Sequence, residues 1–330
     1  MGDHTDYNGG VALPMAIDLA TEAVFAPLGG ANLHIVSAEE RDPVDLSLIA
    51  GGDGDLGPPG WGRLAAAVVG ALGPVPGGEV LVSSSIPIGA GLSSSAAFSV
   101  ALALSLGAPP DPKRLAVLCR DAEARAGADV GLMDPFVIVA AHEGSALLID
   151  FEDLAASDVA VPDDAEFTVV HSGAVRQLAS SAYAERRAEC ARAAALIGVL
   201  GHATTGAADA ISDPLLRRRA RHVVSECRRV HEFVVALGSD DLSAAGALMD
   251  ESHRSLRDDF GVSTPAIDAL VEQLAATPGV HGARLTGGGF GGCVVALSER
   301  GALDPGSWRH GAWRVRPSAG ARRHALGERT

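Results

Sequence analysis

Lysine is almost absent from this chain: of its 26 basic residues only Lys113 is one. A Walker A loop requires G-x-x-x-x-G-K-[ST], and a protein-kinase fold requires a lysine on an N-lobe strand; Lys113, in PPDPKRL after a turn, meets neither requirement. A nucleotide handled here must therefore be held by backbone N–H groups, hydroxyls, arginine and Mg²⁺. Aromatic residues are only 4% of the sequence, so the core must be built from Ala, Val and Leu. The four cysteines, Cys119, Cys190, Cys227 and Cys293, are far apart and form no C-x-x-C. They read as reduced core residues, which suits a cytoplasmic enzyme. No apolar run reaches the roughly eighteen residues of a membrane span. The N-terminus is polar from its second residue rather than signal-like, and Asp6 breaks the myristoylation pattern. A net charge of −15 with a pI near 5.1 argues against nucleic acid, and arginines scattered among acids argue against a basic membrane patch. Small molecules are the expected partners.

At 330 residues, with 47% hydrophobic and 20% charged residues, the chain is globular and long enough for two domains. The stretch Ser85–Leu106, SIPIGAGLSSSAAFSVALALSL, organises the rest. A Pro- and Gly-rich turn runs into Ser93, Ser94 and Ser95, then into a small apolar run that stops at Gly107. This reads as a serine-capped buried helix with a glycine C-cap. The free N–H groups and dipole of its first turn also suit a phosphate. For this stretch alone the two readings stand level.

Upstream, MGDHTDYN is a polar cluster that reads as a metal site, a hydroxyl-binding loop or a solvated terminus. ATEAVFAPL and ANLHIVSAEE, separated by Gly29 and Gly30, predict a hairpin. Residues 51 to 60 form a loop whose Asp53 and Asp55 lack the other ligands of a calcium site. Trp61 begins a predicted helix ending near Gly73, and GEVLVSSSI reads as a strand leading into Ser85–Leu106. KRLAVLCRDAEARAG reads as a helix carrying Glu123. Asp134 stands among apolar neighbours, where a carboxylate needs a partner or a task; with Pro135 following, it also fits a helix N-cap.

From about residue 155 the pattern changes. EFTVVHS is a strand, and a long helix starts at Ser180 or Ser181. The helices RRRARHVVSECRRVHEFVVALG and DLSAAGALMDESHRSLRDDF follow, with basic faces read as solvated. His231 and His253 lack metal-ligand partners at suitable spacing. Ser252, His253 and Asp258 suggest a triad, but neighbours on a helix point different ways. Gly287, Gly289 and Gly292 match G-x-G-x-x-G but lead into a strand. They predict a glycine hairpin with close backbone approach rather than a dinucleotide fingerprint.

GDHTDYNGGVALPMAI, PIGAGLSSSAA and LTGGGFGGCVVAL, in this order and at these separations, resemble the three signature motifs of the GHMP small-molecule kinases. GDHTDYN resembles the galactokinase signature in particular, and GLMDPF, SSAYAERRAEC, ESHRSLRDDF and PSAGA are similar to further segments of that family. The resemblance covers essentially the whole chain. It implies an α+β, two-domain GHMP kinase fold with the active site in the cleft between domains. The domains would span 1–155 and 156–330, with the family's first strand missing from the N-terminal one.

The resemblance implies an ATP- and Mg²⁺-dependent sugar 1-kinase. By position, Asp134 is the catalytic aspartate, and Gly89, Ala90, Gly91, Leu92, Ser93, Ser94 and Ser95 form the phosphate loop. Ser95 and Glu123 hold Mg²⁺, although Glu123 stands one residue closer to Asp134 than is usual in the family. Trp61 falls near the adenine pocket, and Asp3, His4, Asp6, the Gly131 backbone and Tyr183 contact the sugar. The family's first strand carries an arginine upstream of the first motif. This sequence begins inside that motif, so either that segment precedes it or another residue, such as Arg176, takes the role.

Asp3 replaces a glutamate that contacts the sugar 6-hydroxyl, Pro135 replaces a glutamine, and His171-Ser172-Gly173 replaces an NSN-like segment. These departures set beside galactose a C6-extended sugar, such as the octose activated in lincosamide antibiotic biosynthesis, and the arginine strand missing from this sequence sets beside both a non-catalytic sugar and ATP sensor. A dehydrogenase suggested by Gly287 to Gly292 ranks last.

Overall fold

The computed structural model describes residues 1–48, 60–87, 89–128, 130–174 and 179–324. Its strands are β1 (Val11–Ala12), β2 (Thr21–Pro27), β3 (Asn32–Ser37), β4 (Val44–Ser47), β5 (Gly78–Ser84), β6 (Ser145–Asp150), β7 (Ala155–Ala160), β8 (Glu166–His171), β9 (Val280–Leu285), β10 (Cys293–Ser298) and β11 (Ala312–Val315). Its helices are α1 (Trp61–Leu72), α2 (Ser94–Ser105), α3 (Pro112–Arg125), α4 (Met133–Ala140), α5 (Ala179–Ile197), α6 (Thr205–Asp209), α7 (Pro214–Gly238), α8 (Leu242–Ser255) and α9 (Pro265–Ala275). The chain divides into two compact units. Each is assembled from separated segments.

The smaller unit comprises Leu19–Pro87, Ser93–Ala140 and the C-terminal segment from Ala319. Its sheet has the order β2-β5-β3-β4, with β5 antiparallel to β2 and parallel to β3. The expected hairpin of β2 with β3 is therefore not formed, because β5 lies between them. The Gly29–Gly30 connection instead passes the start of β5, where the N–H groups of Leu28 and Gly29 donate to the Gly77 carbonyl. A side chain on Gly77 would meet the Gly30 carbonyl at 2.5 Å, so the crossing needs glycine there. One sheet face is buried by Leu33, Ile35, Val80 and Val82, which pack with residues of α1, α2 and α3. Burial alternates along β5, as the period of two requires.

Helix α2 is the centre of this unit. Ala96, Ala97, Ser99, Val100, Leu102, Ala103 and Leu104 are all buried, which covers every side of the helix. Its small residues let α1, α3 and α4 approach closely. It stops where predicted: Gly107, at φ 103°, lets the Ala108 N–H reach the Ala103 carbonyl at 2.9 Å, a glycine-dependent helix ending.

The larger unit comprises Met1–Asp18, Ile88–Leu92 and Ala141–Ser318. It holds an antiparallel sheet of order β11-β8-β10-β9 and a second of order β1-β6-β7. The glycine hairpin read from Gly287 to Gly292 joins β9 to β10, and Gly289, at φ 80°, has no room for a side chain beside Val262. Val170, Leu285, Val294 and Ala296 of the first sheet meet Cys190, Ala193, Val223, Phe260, Ile267 and Leu274 from the helices and their connections. Among the largest fully buried side chains of the described residues, only Phe260 is aromatic. Helix α8 lies so close on β9 that a side chain on Gly246 would sit 2.1 Å from the His281 carbonyl.

Candidate functional site

In the larger unit the site is built from the N-terminal segment. Asp6–Asn8 make one 3₁₀ turn closed by Gly9 at φ 63°, and β1 then pairs with β6. Asn8 donates its side-chain amide to the His4 carbonyl at 2.8 Å. His4 is buried and takes φ 66°, a left-handed conformation that costs an L-residue about 1–2 kcal/mol and needs its surroundings to hold it.

The His4 Nδ1 lies 2.9 Å from the Tyr7 hydroxyl, and its buried Nε2 has no protein partner. Burial pushes the imidazole down to about 3, with His222 adding to the effect and Asp3 opposing it, so His4 is neutral near pH 7. Tyr183 on α5 packs its ring 5.4 Å from His4 and 5.7 Å from Tyr7. Asp6 is half-buried on the 3₁₀ turn. A neutral ring nitrogen, a phenol and a carboxylate grouped on one short segment suit a polyhydroxylated ligand, because each aims a fixed donor or acceptor.

Asp3 is placed differently from its neighbours. Its carboxylate is ion-paired with the buried Arg284 of β9. Glu226 on α7 lies on the other side of that guanidinium, 4.0 Å from it, and accepts from the Gly2 N–H at 3.0 Å, Ser252 at 2.7 Å and Arg229 at 2.9 Å. Burial would raise the Glu226 carboxyl, but Arg284, His222, Arg229 and Ser252 together bring it down to about 2. Arg219 on the same helix is buried against Glu189 at 2.6 Å.

The face of α7 read as solvated thus carries an internal ionic network. Arg219, His222, Glu226 and Arg229 fall in register with the apolar stripe of Leu216, Val223 and Val230, and that spacing is the signal the sequence offered. The suggested triad does not form: Ser252 binds Glu226, His253 binds Asp268 at 3.1 Å and Asp258 binds Arg257.

The other candidates lie on the glycine turn that leads into α2 and on or beside α1, α3 and α4. Positive φ recurs at every second residue of the glycine turn, with Gly89 at 74°, Gly91 at 79° and Ser93 at 59°. Alternation of this kind turns successive N–H groups to one side and forms an anion-binding concavity. Ala90 is buried, while Leu92 and Ser94 are half-buried. Ser93 holds the N-cap position but makes no side-chain cap bond, contrary to the serine cap predicted, because its left-handed backbone departs from the extended form a capping serine uses. The first-turn N–H groups of α2 are thus not taken by a capping hydroxyl.

Ser95, the second residue of α2, donates its hydroxyl to Glu123 Oε2 of α3 at 2.8 Å. Glu123 Oε1 is buried without a partner. Burial pushes this carboxyl up to about 7, with the Asp134 charge adding to the effect and the Ser95 hydrogen bond opposing it. Among the described residues no group of three or more His, Cys, Asp or Glu side chains converges on one point. Two hard oxygen donors with an unsatisfied carboxylate oxygen nevertheless suit Mg²⁺, which keeps waters and takes phosphate oxygens for its other positions.

Asp134 lies inside the first turn of α4 rather than at its N-cap. The helix begins at Met133, so Pro135 is its third residue, where the missing N–H is still one a helix start leaves unpaired. Gly131, half-buried, lies just before that start. Trp61 opens α1 and sets its ring edge-on to Phe98 of α2, centroids 6.1 Å apart. Arg176, and the loop with Asp53 and Asp55, lie outside the described residues. The sequence reading missed Tyr7, His222, Glu226 and Arg284.

The galactokinase galactose-binding signature matches residues 1–27, the GHMP kinase N-terminal domain residues 62–142, and the GHMP kinase C-terminal domain residues 233–304. The chain is 40% identical over 329 residues to the galactokinase of Homo sapiens, covering 94% of this chain and 83% of that protein. It is 40% identical over 318 residues to the galactokinase of Mycobacterium bovis, covering 90% and 85%. The crystal structure of Lactococcus lactis galactokinase complexed with galactose superposes with a TM-score of 0.87 at 27% identity, over 97% of this chain and 91% of that one. Ordered motifs, fold and full-length similarity agree: the chain belongs to the galactokinase family of GHMP kinases.

Proposed function

We propose that this protein transfers the γ-phosphoryl group of ATP to the anomeric C1 hydroxyl of galactose. The observation that carries the reading is the loop matched by the galactose-binding signature, where buried His4 offers an unpartnered Nε2 beside Tyr183. His4, Asp6 and Tyr183 hold sugar hydroxyls. Asp3, already engaged by Arg284, acts at the C6 end, and the Gly131 backbone is a further hydrogen-bonding group for the sugar. A site of fixed, buried donors and acceptors discriminates epimers strongly, because the wrong one leaves a polar group unpaired.

Asp134 accepts the C1 hydroxyl proton as that oxygen bonds to the γ-phosphorus, and the bond from phosphorus to the ADP oxygen breaks. The N–H groups of Gly89 to Ser95 hold the phosphates, and Trp61 borders the adenine. Ser95 and Glu123 would hold Mg²⁺, which when bound neutralises phosphate charge. The four free, buried cysteines suit action in the reducing cytoplasm.

The test is a panel of aldoses with radiolabelled ATP. One ADP per galactose 1-phosphate is expected, with galactose favoured over glucose by at least ~10³. No galactose-dependent ADP release, or faster turnover of an octose, overturns the reading. Galactose binding without turnover would make the protein a sensor.

Glu123→Gln provides a second check. The folded-state carboxyl lies above its unfolded value, so ionising it costs stability; the cost is absent below about pH 4.5 and complete above about pH 7. The variant is therefore expected to melt a few degrees higher than wild type at pH 8 without ligands, while turning over at least ~100-fold more slowly with Mg²⁺. The melting difference should vanish near pH 4; an unchanged or lower melting temperature at pH 8 would contradict the assignment.

A further inference from the structure

We infer that His222 is a positioning residue for the sugar site: its Nε2–H, together with Phe260, holds the Asp3–His4 segment so that the His4 imidazole presents its free Nε2 to the ligand. The inference rests on the reading of His4 as a sugar ligand. One turn of α7 binds the chain at two points just before His4. Glu226 accepts from the Gly2 N–H at 3.0 Å, and His222 Nε2 lies 3.1 Å from the Asp3 carbonyl oxygen.

A carbonyl only accepts, so the His222 Nε2 carries the proton. Its Nδ1 is then the acceptor for the Ser255 hydroxyl, 2.9 Å away. Burial pushes the His222 imidazole down to about 4, which supports one neutral tautomer. Phe260 lies against both histidines. Its ring centroid is 4.5 Å from that of His222 and 4.5 Å from that of His4, at tilts of 41° and 34°. Phe260 ends a π-helical turn over Leu256–Phe260, a local widening of the helix that recurs at functional sites.

The left-handed backbone of His4 directly follows the tied Asp3 carbonyl in the chain, and that tie, together with the Asn8 amide on the His4 carbonyl, helps to hold it. Without that tie, an L-residue relaxes to negative φ and the imidazole swings away. His222 is fully buried and both of its ring nitrogens are engaged by the protein, so its effect reaches the sugar through His4 and does not fall on ATP.

Two variants of similar polarity separate this role from mere stability. The amide nitrogen of His222→Gln reaches as far as imidazole Nε2, whereas His222→Asn reaches only as far as Nδ1. The galactose KM is expected to rise about tenfold or more in His222→Asn and to stay within about threefold of wild type in His222→Gln, with the ATP KM unchanged in both. In ¹⁵N histidine spectra at pH 7, wild-type His222 should show a protonated Nε2, and the His4 signals should move in His222→Asn but not in His222→Gln. Equal galactose KM values for the two variants, or a wild-type His222 protonated on Nδ1, would overturn the inference. Should the wild type fail to turn over galactose, the functional reading falls separately, and the histidine spectra still decide whether His222 positions His4.

Discussion

Asp134→Asn is expected to lower kcat for galactose phosphorylation by about 10³-fold while galactose binding, measured by calorimetry, stays within about tenfold of wild type. Asparagine has the shape of aspartate and fits the first turn of α4 equally well, so the helix start is preserved. What it lacks is the ability to take a proton from the attacking hydroxyl. A positioned base is one of the few chemical tasks phosphoryl transfer leaves to side chains; most of the rest is orientation and charge stabilisation. A second readout comes from Glu123, whose carboxyl is raised partly by the Asp134 charge. Neutralising Asp134 should lower the Glu123 titration in addition to slowing turnover. A variant within tenfold of wild-type kcat would remove Asp134 from its proposed role, and so would one that no longer binds galactose.

Arg284→Met is expected to cost about 3–5 kcal/mol of stability, read as a lower denaturant midpoint. The guanidinium is buried between the carboxylates of Asp3 and Glu226, and removing it leaves the Asp3 charge without its partner. Asp3→Asn combined with Arg284→Met should recover part of the loss, since it removes the uncompensated charge. The pH dependence has a definite sign. Glu226 titrates near 2 in the folded protein, below its ordinary value of 4.5, so its contribution is complete above about pH 4.5 and lost as pH falls through 2. The gap between wild type and Arg284→Met should therefore be constant above about pH 5 and close on acidification. A gap below about 1 kcal/mol at pH 7 would show that the buried pair contributes little to stability.

Several elements are legible locally. Helix α1 runs from Trp61 to Leu72 as its apolar period predicts, and α2 stops at Gly107 because only glycine supports the turn that follows. The glycines after β9 read as a hairpin because they lead into β-branched residues rather than a helix. Other features resisted the same reasoning. Gly29–Gly30 looks like a hairpin turn, yet β5, about fifty residues on, takes the place between β2 and β3. Ser93 looks like a cap, yet its backbone follows the alternating glycine turn. The arginines of α7 look solvated, since charge at helical spacing usually is; Arg219 and Arg229 are buried because Glu189 and Glu226 meet them.

The reaction class was determined by the sequence alone, through three short motifs, and the glycines, serines and carboxylates of those motifs supply most of the proposed site residues. Turn chemistry and helix starts are local, so they can be read without the fold. Only the tertiary structure decided how the N-terminal segment is held. Asp3 meets Arg284 across 281 positions, and His222 meets the Asp3 carbonyl across 219. Whether a charged or titratable side chain is buried depends on a partner that folding supplies, and no local pattern of the chain encodes that partner.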